Sequence, residues 1–170
     1  MDGLIILNPQ EQALCRYLAK LRYNNARNKN VKNNKIGNQS DEMTDLEGIG
    51  GEVAFCKLFN LYPDISIEVR SSKTDKGDAV LNGLVIDVKT TKYKKGRLLA
   101  APWKEASVDL YALMIGQIDT GYYFKGFMSY SELVKDERLL DLGHGQGYAA
   151  EQHELELDIN NFKYESKGSK

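Results

Sequence analysis

Asn82-Gly83 stands between two apolar runs, Ala79-Val80-Leu81 and Leu84-Val85-Ile86, and turns the chain back on itself. Both residues tolerate the positive φ of a type I′ turn, so an Asn-Gly pair in this setting specifies a two-residue hairpin. The turn also fixes the register. Leu81 faces Leu84, Val80 faces Val85, Ala79 faces Ile86 and Asp78 faces Asp87. Directly opposed residues carry Cβ atoms roughly 4.5–5.5 Å apart. Lys89, two residues past Asp87, projects from the same face. Two carboxylates and an ammonium therefore converge at the open end of one hairpin.

Opposed like charges destabilise a ladder. A divalent cation turns that repulsion into binding, and Mg²⁺ is usually held by one or two carboxylates with water and substrate phosphate. The plainer alternative leaves Asp78 in the preceding turn and pairs Asp87 with Lys89 alone. The second carboxylate, on an otherwise apolar hairpin, favours the cation site.

Upstream, Thr44-Asp45-Leu46-Glu47 has the form of a capping box, and the helix it opens is expected to reach about Asn60. At 100° per residue, Glu52 shares a face with Phe55, Cys56 and Phe59. A carboxylate among aromatics is costly without a partner; the bland alternative is an edge residue pointing into water. Gly48, Gly50 and Gly51 permit close backbone approach, at up to ~1 kcal/mol each in helix propensity.

Helix glutamate, Gly77-Asp78, tight hairpin and Asp87-Val88-Lys89, in that order, resemble the PD-(D/E)xK nuclease superfamily, whose members are restriction-endonuclease-like or Holliday-junction-resolvase-like. Gly77 stands where the motif name has Pro. The resemblance spans roughly Thr44 to Leu133. It implies an α/β fold with a restriction-endonuclease-like core: a central mixed β-sheet whose hairpin carries the active site, flanked by helices. It implies a catalytic set of Glu52, Asp78, Asp87 and Lys89, with metal ligands Asp78, Asp87, Glu52 and the Val88 backbone carbonyl. The expected activity is Mg²⁺-dependent hydrolysis of DNA phosphodiester bonds, endonuclease favoured, with Mn²⁺ substituting. Superfamily members usually have a helix after the Asp-x-Lys strand. Here only Leu98 to Val108 is available, interrupted by Pro102, so that helix must be short or replaced. Two other readings remain: a nucleic-acid-binding module that keeps the fold without cleaving, and a structural or packaging protein with a salt-bridged hairpin edge.

The 170 residues suit one domain, and 42% hydrophobic content supplies a core. No stretch approaches the ~18 consecutive apolar residues of a membrane span. Met1 to Leu7 lacks a basic region and does not read as a signal peptide. Cys15 and Cys56 lack metal or disulfide spacing and read as buried thiols of a reducing cytoplasm, a host cytoplasm if the Asn- and Lys-rich usage reflects an AT-rich phage genome.

The net charge of −1 hides an asymmetry. Residues 70–104 hold nine Lys and Arg against three acids; residues 105–162 hold eleven acids against three bases. A basic patch around the carboxylate pair is the footprint of a polyanion, although lysine-rich rims also protect sheet edges. Lys73, Lys76, Lys92, Lys94, Lys95 and Arg97 are the candidate DNA contacts, and a homodimer would suit cleavage of two strands.

Elsewhere, Asn8-Pro9-Gln10-Glu11 starts a helix expected over residues 8–26, with Leu14, Tyr17, Leu18 and Leu21 inward and Arg16, Lys20, Arg22 and Arg27 on its exposed side. Residues 24–43 read as an Asn/Lys-rich loop, either an arm that orders on nucleic acid or a plain linker. Strands are expected over Asp64–Arg70, Leu110–Ile118, Tyr122–Met128 and, at an edge, Leu155–Ile159, with a helix over Ser131–Leu140 and a frayed tail over residues 163–170. Gly143-His144-Gly145-Gln146-Gly147 reads as a turn, and His153 has no partner pattern. Among Tyr93, Trp103, Tyr111, Tyr122 and Tyr123, Trp103 beside Lys104 is the best placed to stack on a base, and most of the others should be core.

Overall fold

The structure, a computed structural model, describes residues 3–28, 41–67, 77–102, 108–143 and 145–163. It is a mixed α/β fold. Helix α1 spans Pro9–Asn28 and α2 spans Asp41–Leu58. A four-stranded sheet has the order β1-β2-β4-β5, with β1 Ala79–Leu81, β2 Leu84–Thr91, β4 Leu110–Gln117 and β5 Gly121–Ser129. β2 and β4 are parallel and the other pairs antiparallel, so the sheet is mixed. A smaller antiparallel sheet contains β3 Leu98–Ala100, β7 Gln146–Ala150 and β6 Leu139–Asp141, in that order.

Local chemistry explains much of this. Asn8 caps α1 reciprocally with Glu11: the Glu11 N–H donates to Asn8 Oδ1 at 2.9 Å and the Asn8 N–H to Glu11 Oε2 at 2.6 Å. Asn82 and Gly83 adopt φ of 53° and 80°, as the two-residue turn requires. The hairpin pairs Leu81 with Leu84, Val80 with Val85 and Ala79 with Ile86.

Two apolar clusters sandwich the main sheet. Ile86, Val88, Ala112 and Met114 face α1 and α2, where Phe55, Phe124 and Phe127 meet at centroid distances of 4.8–6.1 Å. Tyr111, Leu113 and Ile115 face Leu98 and Ala150 of the small sheet. Burying each large side chain stabilises the fold by roughly 1.5–3 kcal/mol.

Several expectations need correction. Helix α1 turns its Cys15, Leu18 and Ala19 stripe inward, while Tyr17 and Leu14 are exposed. Helix α2 begins at Asp41, so Thr44 and Glu47 lie inside the helix instead of opening it. Residues 64–67 form no strand; their carbonyls bind α1 side chains, and residues 68–70 lie outside the described residues. The 131–140 helix stops after one turn, α3 Tyr130–Leu133. Leu139 and Leu140 then pair with Tyr148 and Gly147, because the second sheet offers backbone partners that propensity cannot anticipate. Leu155–Ile159 contributes a single bridge, Glu156 to Phe127. The segment after β2, where a short or replaced helix was expected, carries strand β3 at residues 98–100, and residues 103–107 lie outside the described residues.

Candidate active site

Gly50 and Gly51 bring α2 against the sheet. A Cβ on Gly51 would overlap the Thr90 side chain of β2, and one on Gly50 would overlap the Tyr122 hydroxyl of β5. Glu52 follows directly, so this close approach sets its height over β2.

The ladder between β1 and β2 ends at Ala79–Ile86, one residue short of Asp78. The Asp78 N–H donates to the Ile86 carbonyl at 2.8 Å, and Asp78 Oδ2 accepts from the Val88 N–H at 2.7 Å. The side chain thus takes over as acceptor where the strand pairing stops. Gly77 precedes it at φ 71°, a conformation closed to Pro, which accounts for glycine at the motif's Pro position.

Asp87 is 2% exposed and pairs with Lys89 at 2.5 Å. Both share the face of Tyr111 and Leu113, their β4 partners, and Lys89 Nζ lies 5.9 Å from the Tyr111 ring centroid. Helix α2 covers the opposite face. Among the described residues, no strand pairs with the outer edge of β2 beyond Ile86, and around this open edge the groups on both faces couple electrically.

The coupling is visible in proton affinities. Burial raises the Asp78 pKa well above the carboxylate range, and repulsion from Glu52 and Asp87 adds to it; Lys89 and the Val88 N–H oppose the shift. Burial also raises Glu52, against Arg22, with Asp87 adding repulsion and Lys89 attraction. The Cys56 thiol is pushed to about 12, first by burial and then by Glu52, Asp78 and Asp64. Cys15 and Cys56 are buried thiols, as expected.

Arg22 is the residue the sequence reading misplaced. Its guanidinium donates to Glu52 Oε2 at 3.2 Å and to the carbonyls of Asp64 and Ser66 at 2.9 Å each. It falls on the inward stripe Cys15-Leu18-Ala19-Arg22, spaced i, i+3, i+4, i+7. The cost of an unpartnered Glu52 was the signal that called for such a cation. Asp64 and Asp78 line an open cleft of about 320 Å³ with Tyr62, Pro63, Ile65 and Val80.

The donors suit a hard divalent cation: they are carboxylate oxygens, and burial and mutual repulsion make Glu52 and Asp78 favour positive charge nearby. Among the described residues, no three His, Cys, Asp or Glu side chains are already gathered as a metal-holding group. Instead Arg22 engages Glu52, the Val88 N–H engages Asp78 and Lys89 engages Asp87.

Lys92, Lys94, Lys95 and Arg97 lie on the connection from β2 to β3. Lys73, Lys76, Trp103, Lys104 and His144 lie outside the described residues. Tyr111 and Tyr122 are core, as expected for most of the aromatics.

Residues 4–120, about two thirds of the chain, match a family of unknown function, DUF5843. The chain belongs to this family. The DUF5843 match includes Glu52, Asp78, Asp87, Lys89 and the basic connection after β2. No curated protein and no solved structure matches the chain. Among the described residues, no helix is long and apolar enough to cross a membrane.

Proposed function

We propose that the chain is a Mg²⁺-dependent nuclease that hydrolyses DNA phosphodiester bonds, endonuclease favoured, with Mn²⁺ able to substitute. One observation carries the reading: at the open edge of the hairpin, Asp78 is fixed by its N–H on the Ile86 carbonyl and by its Oδ2 on the Val88 N–H, directly beside the buried Asp87 and its ion-pair partner Lys89. The order of these residues resembles the PD-(D/E)xK pattern. In this reading Asp78, Asp87 and the Val88 carbonyl hold the cation, and Glu52 holds a second cation or its water shell. When bound, the cation lowers the pKa of its water and stabilises charge on the phosphoryl group. Lys89 orients or deprotonates the attacking water, or balances phosphate charge. Lys92, Lys94, Lys95 and Arg97 grip the DNA backbone, which supplies affinity without sequence information.

A second reading, a DNA-binding module that does not cleave, is favoured by one observation: each carboxylate already has a protein partner. Digestion of supercoiled, linear, branched and single-stranded DNA with Mg²⁺ or Mn²⁺, against EDTA, separates the two. Cation-dependent cleavage is expected. DNA binding without cleavage on any substrate supports the second reading, and absence of both removes DNA as the partner.

A further inference from the structure

Six consecutive residues after β2, Lys92-Tyr93-Lys94-Lys95-Gly96-Arg97, carry four cations around one aromatic ring. Tyr93 is 67% exposed, unlike the core tyrosines Tyr111 and Tyr122. Lys94 and Lys95 are exposed beside it, and Lys92 Nζ lies 5.7 Å from its ring centroid.

The turn is held in shape from two sides. Within it, the Gly96 N–H donates to the Tyr93 carbonyl at 2.7 Å and the Tyr93 N–H to Thr91 Oγ1 at 3.3 Å. From the C-terminal part of the chain, Gln152 Nε2 donates to the carbonyls of Lys94 and Gly96, each at 2.9 Å. Arg97 lies 3.9 Å from Glu151. An exposed aromatic on a turn fixed this way loses little freedom on contact, the condition under which stacking contributes most.

We infer that Tyr93 is a stacking platform for an unpaired base of the DNA substrate, with Lys92, Lys94 and Lys95 holding the adjoining phosphates. This inference rests on the nuclease reading and deepens it, since it selects substrates with a single-stranded segment: flaps, overhangs, junction arms or frayed ends. Lys89 and Tyr93 are four residues apart, which at about 3.3 Å per residue is at most about 13 Å. The stacked base therefore lies a few nucleotides from the bond to be cut. A base stacked inside a duplex offers no free face to the ring, whereas an unpaired base does. Aromatic stacking is indifferent to base identity, so the preference is for structure, not sequence.

The test is equilibrium binding in EDTA of a single-stranded oligonucleotide and of its blunt duplex, each labelled with a fluorescent adenine analogue. Wild type, Tyr93→Ala, Tyr93→Phe and Tyr93→Trp are compared at several salt concentrations. Tyr93→Ala is expected to lose roughly 5- to 150-fold in single-strand affinity, the range for one stacked base. Its duplex affinity and salt slope should stay unchanged, and Phe and Trp should restore binding. Equal loss on both DNAs, no loss, or failure of Phe to rescue overturns the inference. Wild-type cleavage of DNA alongside an unaffected Tyr93→Ala removes only the stacking role. No wild-type affinity for either DNA, in EDTA or with Ca²⁺ in its place, together with no cleavage in Mg²⁺, removes the nuclease reading and the platform with it.

Discussion

At the scale of single residues, the candidate site is a set of carboxylates whose burial works against their charge. Asp78 and Glu52 hold protons more tightly in the folded chain than their ordinary values allow. The folded state therefore binds more protons than the unfolded state between the ordinary and the raised values, and stability from these groups falls as pH rises through that window. Asp78→Asn keeps an acceptor for the Val88 N–H and removes a partly buried charge. In EDTA it is expected to melt above wild type at pH 7, with the gap closing as pH falls towards the ordinary Asp range. A lower melting temperature at pH 7 would show that the Asp78 charge is stabilising. The same variant and Asp87→Asn are expected to abolish cation-dependent cleavage, and full activity of both sinks the site assignment. Lys89→Ala tests a different role. Single-turnover rates should fall about 10²–10⁴-fold, the range of a positioned acid–base group. Calorimetric Mn²⁺ affinity should hold or rise, because a nearby positive charge has gone. Loss of the cation altogether would mean that Lys89 positions the carboxylates instead.

At the scale of elements, the packing of α2 on β2 and β5 decides where Glu52 sits. Gly51→Ala would improve helix propensity by up to ~1 kcal/mol. It would also drive a Cβ into Thr90, a short β-branched residue with a buried hydroxyl. Overpacking of this kind costs about 1–3 kcal/mol. Urea unfolding is expected to show net destabilisation, and cleavage should fall as well, because α2 must shift outward and carry Glu52 with it. A variant as stable as wild type would mean that the helix does not depend on this approach. The hairpin behaves differently: its register follows from Asn82-Gly83 alone and needs no packing partner to be specified.

At the scale of the whole molecule, charge is divided along the chain. The basic connection after β2 adjoins the carboxylate site, while β4 and β5 carry no acid and the described acidic residues after position 104 fall on the segments between and after the strands, from Asp109 and Asp119 through Asp136 and Glu137 to Glu151, Glu154, Glu156 and Asp158, with Glu132 on α3 and Asp141 on β6. The division makes the salt dependence of DNA binding a measure of where the DNA lies. Replacing Lys92, Lys94 and Lys95 with Ala should reduce the slope of log affinity against log salt by up to about 0.9 for each duplex phosphate that these lysines neutralise. An unchanged slope in a binding titration would place the interface elsewhere, with the Asn/Lys-rich stretch around residues 24–40 the next candidate.

The sequence by itself determined what short-range rules decide. The Asn8–Glu11 cap, the hairpin with its three paired rows, the β4–β5 antiparallel pair and the burial of Cys15 and Cys56 all follow from residues close together in the chain. It also put Asp87 and Lys89 on one face of β2, where they pair, while the expected Asp78–Asp87 row lies beyond the last paired row, Ala79–Ile86. Tertiary structure alone decided the rest. The inward face of α1 could not be read from its apolar residues, since two overlapping stripes, 14-17-18-21 and 15-18-19-22, both contain Leu18. The half-buried Glu52 discriminates between them, because it needs the Arg22 guanidinium. Of the strand expected over Asp64–Arg70, the described residues 64–67 form a loop whose carbonyls accept from Arg22 and Asn25. Residues 139–141 became a strand because β7 presents an edge to them. In each case a hydrogen-bond or charge partner from a distant part of the chain outweighed local propensity, since leaving a largely buried polar group unpaired costs more than the few tenths of a kcal/mol by which propensities differ.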